Sequence, residues 1–253
     1  MALITRGRAA AVGAALASVV LTGTPVAGAS ADVTPPDVPW ATDGQRHTLA
    51  STQLFSWVTS DLESNVASYD VRYSVSAQTA SRMSQRWRST PALARTTART
   101  VRLRVPRGKI VCVQARAYDD AGNVSAWGNV GCTARAYDDR QVLRKGTVKK
   151  VRDRRYYGGV ASRLKGEGRL VLRGVEAGSA VYVVYKQTRK MGAGLLYPRG
   201  DTRYVFGERG PATFKAVWFF HDPVERSGRL RVLASAPGSI VIDGVAVVPR
   251  WAW

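Results

Sequence analysis

The chain has 253 residues, of which 38 are Lys or Arg, 18 are Asp or Glu, two are His and two are Cys. So few histidines and cysteines argue against a metal centre built from these ligands, and the formal net charge of +20 favours anionic partners. The sequence contains no G-x-S-x-G, H-E-x-x-H or P-loop motif. It therefore predicts no catalytic residues, no metal and no cofactor.

The first 31 residues have the pattern of a secretory signal. Arg6 and Arg8 precede an apolar run from Ala9 to Leu21, and the segment ends in Ala29-Ser30-Ala31. The alternative is a membrane anchor, but a run of about thirteen residues is short for a span. Residues 1–31 are thus predicted to be cleaved before Asp32, which leaves a secreted or cell-surface protein without a transmembrane segment.

Residues 32–139 show the period-two alternation of half-buried strands. The segment "ASYDVRYSV" places Tyr69, Val71 and Tyr73 on one face, and "QLFSWVTS" pairs Phe55 with Trp57. Turn signals follow one another about every ten residues. This pattern predicts an immunoglobulin-like β-sandwich of about seven strands.

The segments "PPDVPW", "FSW", "SYDVRY", "QRWRST" and above all "ARAYDDAGNVSAW" carry a resemblance. From Pro35 to Thr133 the chain resembles fibronectin type III domains of secreted actinobacterial proteins. The tyrosine that often precedes the sixth strand is replaced by Val111. The resemblance implies a spacer or interaction module, with Trp57 in its core.

The same hairpin brings the two cysteines together. Cys112 lies ten residues before Gly122 and Cys132 lies ten residues after it, so a turn centred there sets them opposite each other. In an oxidising compartment this predicts a disulfide, on the outer face opposite to Val111 and Val113. Closing the loop contributes at most about 3 kcal/mol.

Residues 140–253 hold 23 basic and eight acidic side chains, and they again alternate. The segment "RLVLRGV" turns Leu170 and Leu172 inward. The strand succession ending in "VIDGV" resembles the jelly-roll sandwiches of the galactose-binding-like class, which are often carbohydrate-binding modules. Asp243-Gly244 allows either a bend in one last strand, which we favour, or a hairpin turn. The predicted fold is all-β, with two β-sandwich domains.

Two groups of side chains are candidates for ligand contact in the second half. A basic stretch suits polyanions, although 30 of the 38 basic residues are Arg, so a compositional bias explains the charge equally well. Asp138 and Asp139 are the last acidic residues before this basic stretch, and we expect them to form ion pairs with its side chains. The anion-binding candidates are Arg144, Lys145, Lys149, Lys150, Arg152, Arg154 and Arg155. The aromatic candidates for stacking on sugars are Tyr156, Tyr157, Tyr182 and Phe219.

These features predict an exported, non-catalytic binding protein for a polysaccharide or an anionic cell-surface polymer. One alternative is an accessory or weakly active component of polysaccharide degradation. Another is a protein–protein adhesion module with a protein partner. No recognition helix or stacked-aromatic motif indicates a specific nucleic-acid ligand.

Overall fold

The computed structural model describes residues 32–42, 46–198, 204–207, 209–220, 224–235 and 238–252. The predicted signal peptide and its cleavage site, residues 1–31, lie outside this range. Within the described ranges, no helix is long and apolar enough to cross a lipid bilayer.

The first sandwich consists of two sheets that enclose a buried aromatic and aliphatic core. Sheet I has the strand order β1-β3-β5, and sheet II has the order β2-β7-β6-β4. Phe55, Trp57, Tyr69 and Val71 are buried between them, as the alternation predicts. The strands are β1 (Trp40–Thr42), β2 (His47–Thr48), β3 (Thr52–Val58), β4 (Val66–Ala77), β5 (Thr100–Arg104), β6 (Lys109–Asp119) and β7 (Gly131–Arg135). The immunoglobulin-like sandwich is therefore confirmed, whereas membership of the fibronectin type III family remains a prediction.

The outer face of sheet II carries a stack of alternating aromatic rings and guanidinium groups. The Arg72 guanidinium lies 4.7 Å from the ring centroid of Trp87 and 3.9 Å from that of Trp127. The Arg116 guanidinium lies 4.9 Å from Trp127 and 5.4 Å from Tyr118. Such cation–π contacts hold each ring against a charged neighbour. Two arginines of sheet II thus contact tryptophans of the adjoining connecting segments.

The second sandwich also consists of two antiparallel sheets. Its strands are β8 (Tyr137–Asp138), β9 (Leu143–Lys145), β10 (Val148–Arg152), β11 (Val160–Lys165), β12 (Arg169–Val175), β13 (Ala180–Gln187), β14 (Gly194–Tyr197), β15 (Tyr204–Phe206), β16 (Thr213–Phe220), β17 (Gly228–Ala234) and β18 (Ser239–Val248). Sheet III has the order β10-β11-β18-β13-β16, with β8 paired to β18, and sheet IV has the order β15-β14-β17-β12-β9. The 3-10 helices of the described residues are Pro91–Leu93, Asp139–Gln141 and Arg250–Ala252. The predicted all-β fold with two sandwiches is confirmed.

Strand β18 runs through Asp243-Gly244 without reversing, so the bend is confirmed and the hairpin turn is wrong. The register with β13 shifts between Val184 and Tyr185, which marks a β-bulge there. Gly244 is needed because a Cβ at this position would lie 2.6 Å from the carbonyl oxygen of Tyr137 on the paired strand β8. The bulge sets the carboxyl group of Asp243 into the interior.

The two sandwiches share a hydrophobic core between sheets II and III. Cys112 and Cys132 form the predicted disulfide, with their Cα atoms 4.1 Å apart in directly opposed positions of β6 and β7. They occupy the outer face of sheet II, as expected, but sheet III covers the part of that face around the cysteines. The shared core includes Ile110, Cys112, Cys132, Ala134, Ala180, Tyr182, Val184, Ala246 and Val248. The disulfide is consequently buried.

Hydrogen bonds of the Gln78 side chain link the two sandwiches beside this shared core. The fully buried Gln78 side chain donates to the carbonyl oxygen of Arg135 at 2.6 Å and accepts from the Val247 N–H at 2.6 Å. It therefore joins β7 of the first sandwich to β18 of the second. Residues 32–253 form one compact unit. Strand β8 pairs with sheet III, and the proposed division at 139/140 remains a prediction.

Candidate functional site

The aromatic side chains singled out from the sequence are mostly enclosed by the protein. Tyr156, Tyr157 and Tyr182 are only 4%, 4% and 7% exposed, so the expectation of sugar-stacking rings is not met at these positions. Tyr182 is stacked between His47 of the first sandwich, at 4.0 Å between ring centroids, and Phe219, at 4.5 Å. Phe219 is 38% exposed, but one of its faces lies on Tyr182.

Two of the predicted anion-binding arginines are engaged by aspartates of the protein. Arg144 pairs with Asp139 at 2.6 Å and donates to the Ser162 hydroxyl at 2.9 Å. Arg155 pairs with Asp153 at 2.7 Å. The expected pairing of the basic run with preceding acids is confirmed, since Arg140 also pairs with Asp138 at 2.7 Å. Arg155 is exposed despite its ion pair, and so are the remaining candidates, Lys145, Lys149, Lys150, Arg152 and Arg154.

A basic groove, here called groove A, opens on the outer face of sheet IV. Its volume is about 500 Å³, within the range of ligand pockets. Strand alternation explains its composition, because the inward-facing Leu170, Leu172 and Leu230 leave their neighbours outward. Its lining residues are Leu143, Lys145, Arg169, Val171, Arg173, Gly228, Arg229 and Arg231. Of the predicted anion-binding candidates, Lys145 belongs to this groove.

Groove A holds like charges in directly opposed positions of neighbouring strands. Arg173 faces Arg229 across the β12–β17 pair, and Arg169 faces Lys145 across the β12–β9 pair. Directly opposed like charges destabilise a sheet. No acidic residue lines the groove among the residues that the structure describes. A bound anion would offset this repulsion, and Arg side chains can hold a carboxylate or a phosphate through two parallel hydrogen bonds.

Two of the residues that line groove A are apolar, and one aromatic ring lies next to a lining arginine. Val171 is 5% exposed and lies at the base, whereas Leu143 on the edge strand β9 is 42% exposed. Tyr197 of β14 lies opposite Arg231, whose guanidinium is 5.8 Å from its ring centroid. The groove thus offers cations above a partly apolar surface, which suits a ligand that has both charged groups and C–H faces.

A second basic groove, here called groove B, lies on the outer face of sheet III where the first sandwich does not cover it. Its volume is about 460 Å³. Lys149 faces Arg163 directly across the β10–β11 pair, which is again an opposed pair of cations. Its lining residues are Thr147, Lys149, Arg163, Lys165, Lys190, Gly238 and Ser239. Lys149 is thus the second predicted candidate that falls in a groove.

Three aspartates lie at the junction between the sandwiches, and one has a strongly altered pKa. Burial raises the pKa of Asp243 to about 7, although the backbone N–H of Tyr157 donates to both of its oxygens, at 2.9 and 2.8 Å. The nearby Asp139 raises this pKa further. Burial also raises the pKa of Asp138, but the hydrogen bonds from Arg140 outweigh that effect and lower it overall. These groups are enclosed, so they belong to the junction rather than to a ligand site.

The carboxylates of Asp32, Asp61 and Asp119 form a further acidic group in the first sandwich, with ligand atoms within 4.8 Å of one another. Asp119 accepts from the backbone N–H of Asn123 at 2.7 Å and from its side-chain amide at 2.8 Å. Both of its oxygens are thereby engaged within the turn.

No protein-family model matches the chain, and no curated protein matches it either. Similar solved structures include a family 35 carbohydrate binding module from Clostridium thermocellum, at 16% identity over 45% of this chain and 97% of that chain, with a TM-score of 0.35. They also include the exo-beta-1,3-galactanase of Phanerochaete chrysosporium, at 10% identity over 84% of this chain and 56% of that chain, with a TM-score of 0.38. A third is the alpha-L-rhamnosidase of Dictyoglumus thermophilum, at 13% identity over 87% of this chain and 28% of that chain, with a TM-score of 0.40. At such low identities and TM-scores, these likenesses carry no conclusion about the function of this chain.

Proposed function

We propose that this is an exported, non-catalytic protein that binds an anionic polysaccharide of the cell surface in groove A. The observation that carries the proposal is the gathering of Lys145, Arg169, Arg173, Arg229 and Arg231 in one open groove, with no acid among its described lining residues. Opposed cations on neighbouring strands store a repulsion that an anionic ligand relieves.

The shape and the apolar part of groove A favour a polysaccharide over a nucleic acid. Leu143 and Val171 provide an apolar surface for the C–H face of a sugar ring, and the Tyr197 ring lies beside Arg231. A groove of about 500 Å³ on a sheet face accommodates a short stretch of a linear polymer. Stacking of successive bases on several aromatic rings, which is typical of single-stranded nucleic-acid sites, has no counterpart in this lining.

The non-catalytic role rests on the side chains available in the groove. Glycoside hydrolysis requires two carboxyl groups placed on either side of the scissile bond, about 5 to 10 Å apart. The described lining of groove A supplies cations and no carboxyl group. We therefore favour binding over a weak glycosidase.

Export and the role of the first sandwich complete the proposal. A disulfide is stable in oxidising compartments, which is where the signal-like residues 1–31 would direct the chain. The first sandwich shares a core with sheet III and leaves the outer face of sheet IV open. We propose that it acts as an interaction module that presents the binding sandwich in a fixed orientation.

The test is binding of residues 32–253 to immobilised polygalacturonate, a linear polymer with one carboxylate per sugar. The variant Arg173→Gln/Arg229→Gln/Arg231→Gln removes three exposed cations from groove A without touching its floor. Each exposed ion pair contributes up to about 1 kcal/mol, so the dissociation constant should rise by one to two orders of magnitude. A matched variant, Arg99→Gln/Arg102→Gln/Arg104→Gln, removes three exposed cations from the first sandwich.

The two variants have the same net charge, so their comparison separates a site from general attraction. The proposal expects the matched variant to bind within about twofold of the unaltered chain at 0.15 M salt, where exposed charges are screened beyond about 8 Å. Equal weakening in both variants would refute it, because it would mean that net charge alone drives binding. Release of sugar from polygalacturonate by the unaltered protein would overturn the non-catalytic role.

A further inference from the structure

Groove B is a second concentration of cations, and it lies on the opposite side of the second sandwich from groove A. Groove A is on the outer face of sheet IV, and groove B is on the outer face of sheet III. Sheets III and IV pack face to face around one core, about 10 Å apart. Their outer faces, and therefore the two grooves, point in opposite directions. A ligand held in one groove is thus separated from the other by the full thickness of the sandwich.

The composition of groove B repeats that of groove A in independent strands. Lys149 faces Arg163, and Thr147 and Lys165 extend the same face toward Ser239 of β18. Lys190, from the segment after β13, adds a further exposed cation. Among the described residues lining groove B none is acidic. One sandwich thus has two grooves whose lining carries positive charge without acidic residues among those described, and the two grooves are built mainly from different strands.

The position of groove B follows from how the first sandwich packs. The shared core covers the part of sheet III formed by β13 and the C-terminal half of β18, where Tyr182, Val184 and Ala246 are buried. It leaves the outer face of β10, β11 and the start of β18 open to solvent, where Lys149, Arg163 and Lys165 are exposed. The half-covered sheet therefore keeps one open basic surface.

We propose that groove B is a second anion-binding site and that one protein molecule links two anionic polysaccharide chains, one in each groove. This inference rests on the proposed function of groove A. Because the outward directions of the grooves are opposed, one chain would have to reverse its course around the edge strands β9 and β10 to fill both. Two separate chains can each lie flat in a groove.

The experiment uses beads coated with polygalacturonate, the protein as residues 32–253, and a fluorescent polygalacturonate in solution. The variant Lys149→Gln/Arg163→Gln/Lys165→Gln removes three cations from groove B. It should stay on the beads within about threefold of the unaltered chain but capture at least tenfold less fluorescent polymer. The matched variant Arg99→Gln/Arg102→Gln/Arg104→Gln should retain both activities, and sedimentation should show monomers throughout.

Each outcome separates the two proposals. Equal capture by the groove B variant and the unaltered chain would overturn the second site while leaving groove A intact. Strong binding of the unaltered chain to beads with no capture of fluorescent polymer would refute the linking of two chains. In the groove B variant background, unchanged bead binding after the further changes Arg173→Gln/Arg229→Gln/Arg231→Gln would instead refute the proposed function. Capture that depends on protein dimers would also overturn the inference.

Discussion

The buried carboxyl group of Asp243 makes the stability of the protein depend on pH in a way that a single substitution should remove. Its pKa rises from 3.8 to about 7 on folding, mainly because it is buried at the junction of the two sandwiches. A carboxyl whose pKa is raised in the folded state binds more protons there than in the unfolded chain. Its contribution to stability is therefore greatest below pH 4 and falls as the pH rises toward 7.

The magnitude follows from the size of the shift. A shift of about three pH units corresponds to about 4 kcal/mol, which is the upper limit of the cost once the group is ionised in both states. Between pH 5 and pH 8 the cost increases by about 2–3 kcal/mol. The variant Asp243→Asn cannot ionise, and its side-chain oxygen can still accept from the Tyr157 N–H. Its free energy of unfolding relative to the unaltered protein should thus rise by this amount between the two pH values.

Urea unfolding of residues 32–253 at pH 5 and pH 8 measures this difference directly. The control is Asp153→Asn, because hydrogen bonds from Arg155 lower the pKa of Asp153 and its titration lies below this pH range. Its effect on stability should be the same at both pH values. If Asp243→Asn also changed stability equally at pH 5 and pH 8, the account of a buried, protonated carboxyl group would be refuted.

Three further changes test the shared core. Replacing Cys112 and Cys132 by Ser should lower the free energy of unfolding by less than about 3 kcal/mol, because β6 and β7 already hold the closed loop together. Thermal unfolding of the variant measures this loss of stability. An unchanged stability would contradict a structural role of the disulfide. Gln78→Leu should cost about 1–3 kcal/mol by leaving the Val247 N–H without an acceptor, whereas an unchanged urea midpoint would argue against that hydrogen bond. Tyr182→Ala should cost about 3–5 kcal/mol, as for other large buried rings, and a loss below about 1 kcal/mol would mean that the ring is not enclosed.

The strand pattern could be read from the sequence because each strand has a period of two. The inward positions of Leu170 and Leu172, and of Phe55 and Trp57, were predictable since one face of each strand must leave water. The disulfide followed in the same way, because a hairpin fixes which residues oppose each other, and Cys112 opposes Cys132. These are local features that depend on residues close in the chain.

The site was less accessible to sequence reasoning because it depends on strands that are distant in the chain. Arg173 and Arg229 were each predictable as outward-facing, but only the pairing of β12 with β17 sets them opposite each other. The dense basic run is the stronger local signal in the sequence, but within it Arg144 turns inward to Asp139. Tyr182 also has the outward phase on its strand, but the first sandwich covers that face.

The most direct test of the central claim is a crystal structure of residues 32–253 with a short oligogalacturonate. We expect the oligosaccharide to lie in groove A, with its carboxylates within hydrogen-bonding distance of Arg173, Arg229 or Arg231 and sugar C–H groups over Leu143 or Val171. An oligosaccharide bound elsewhere, for example stacked on the exposed face of Phe219 with groove A empty, would contradict it.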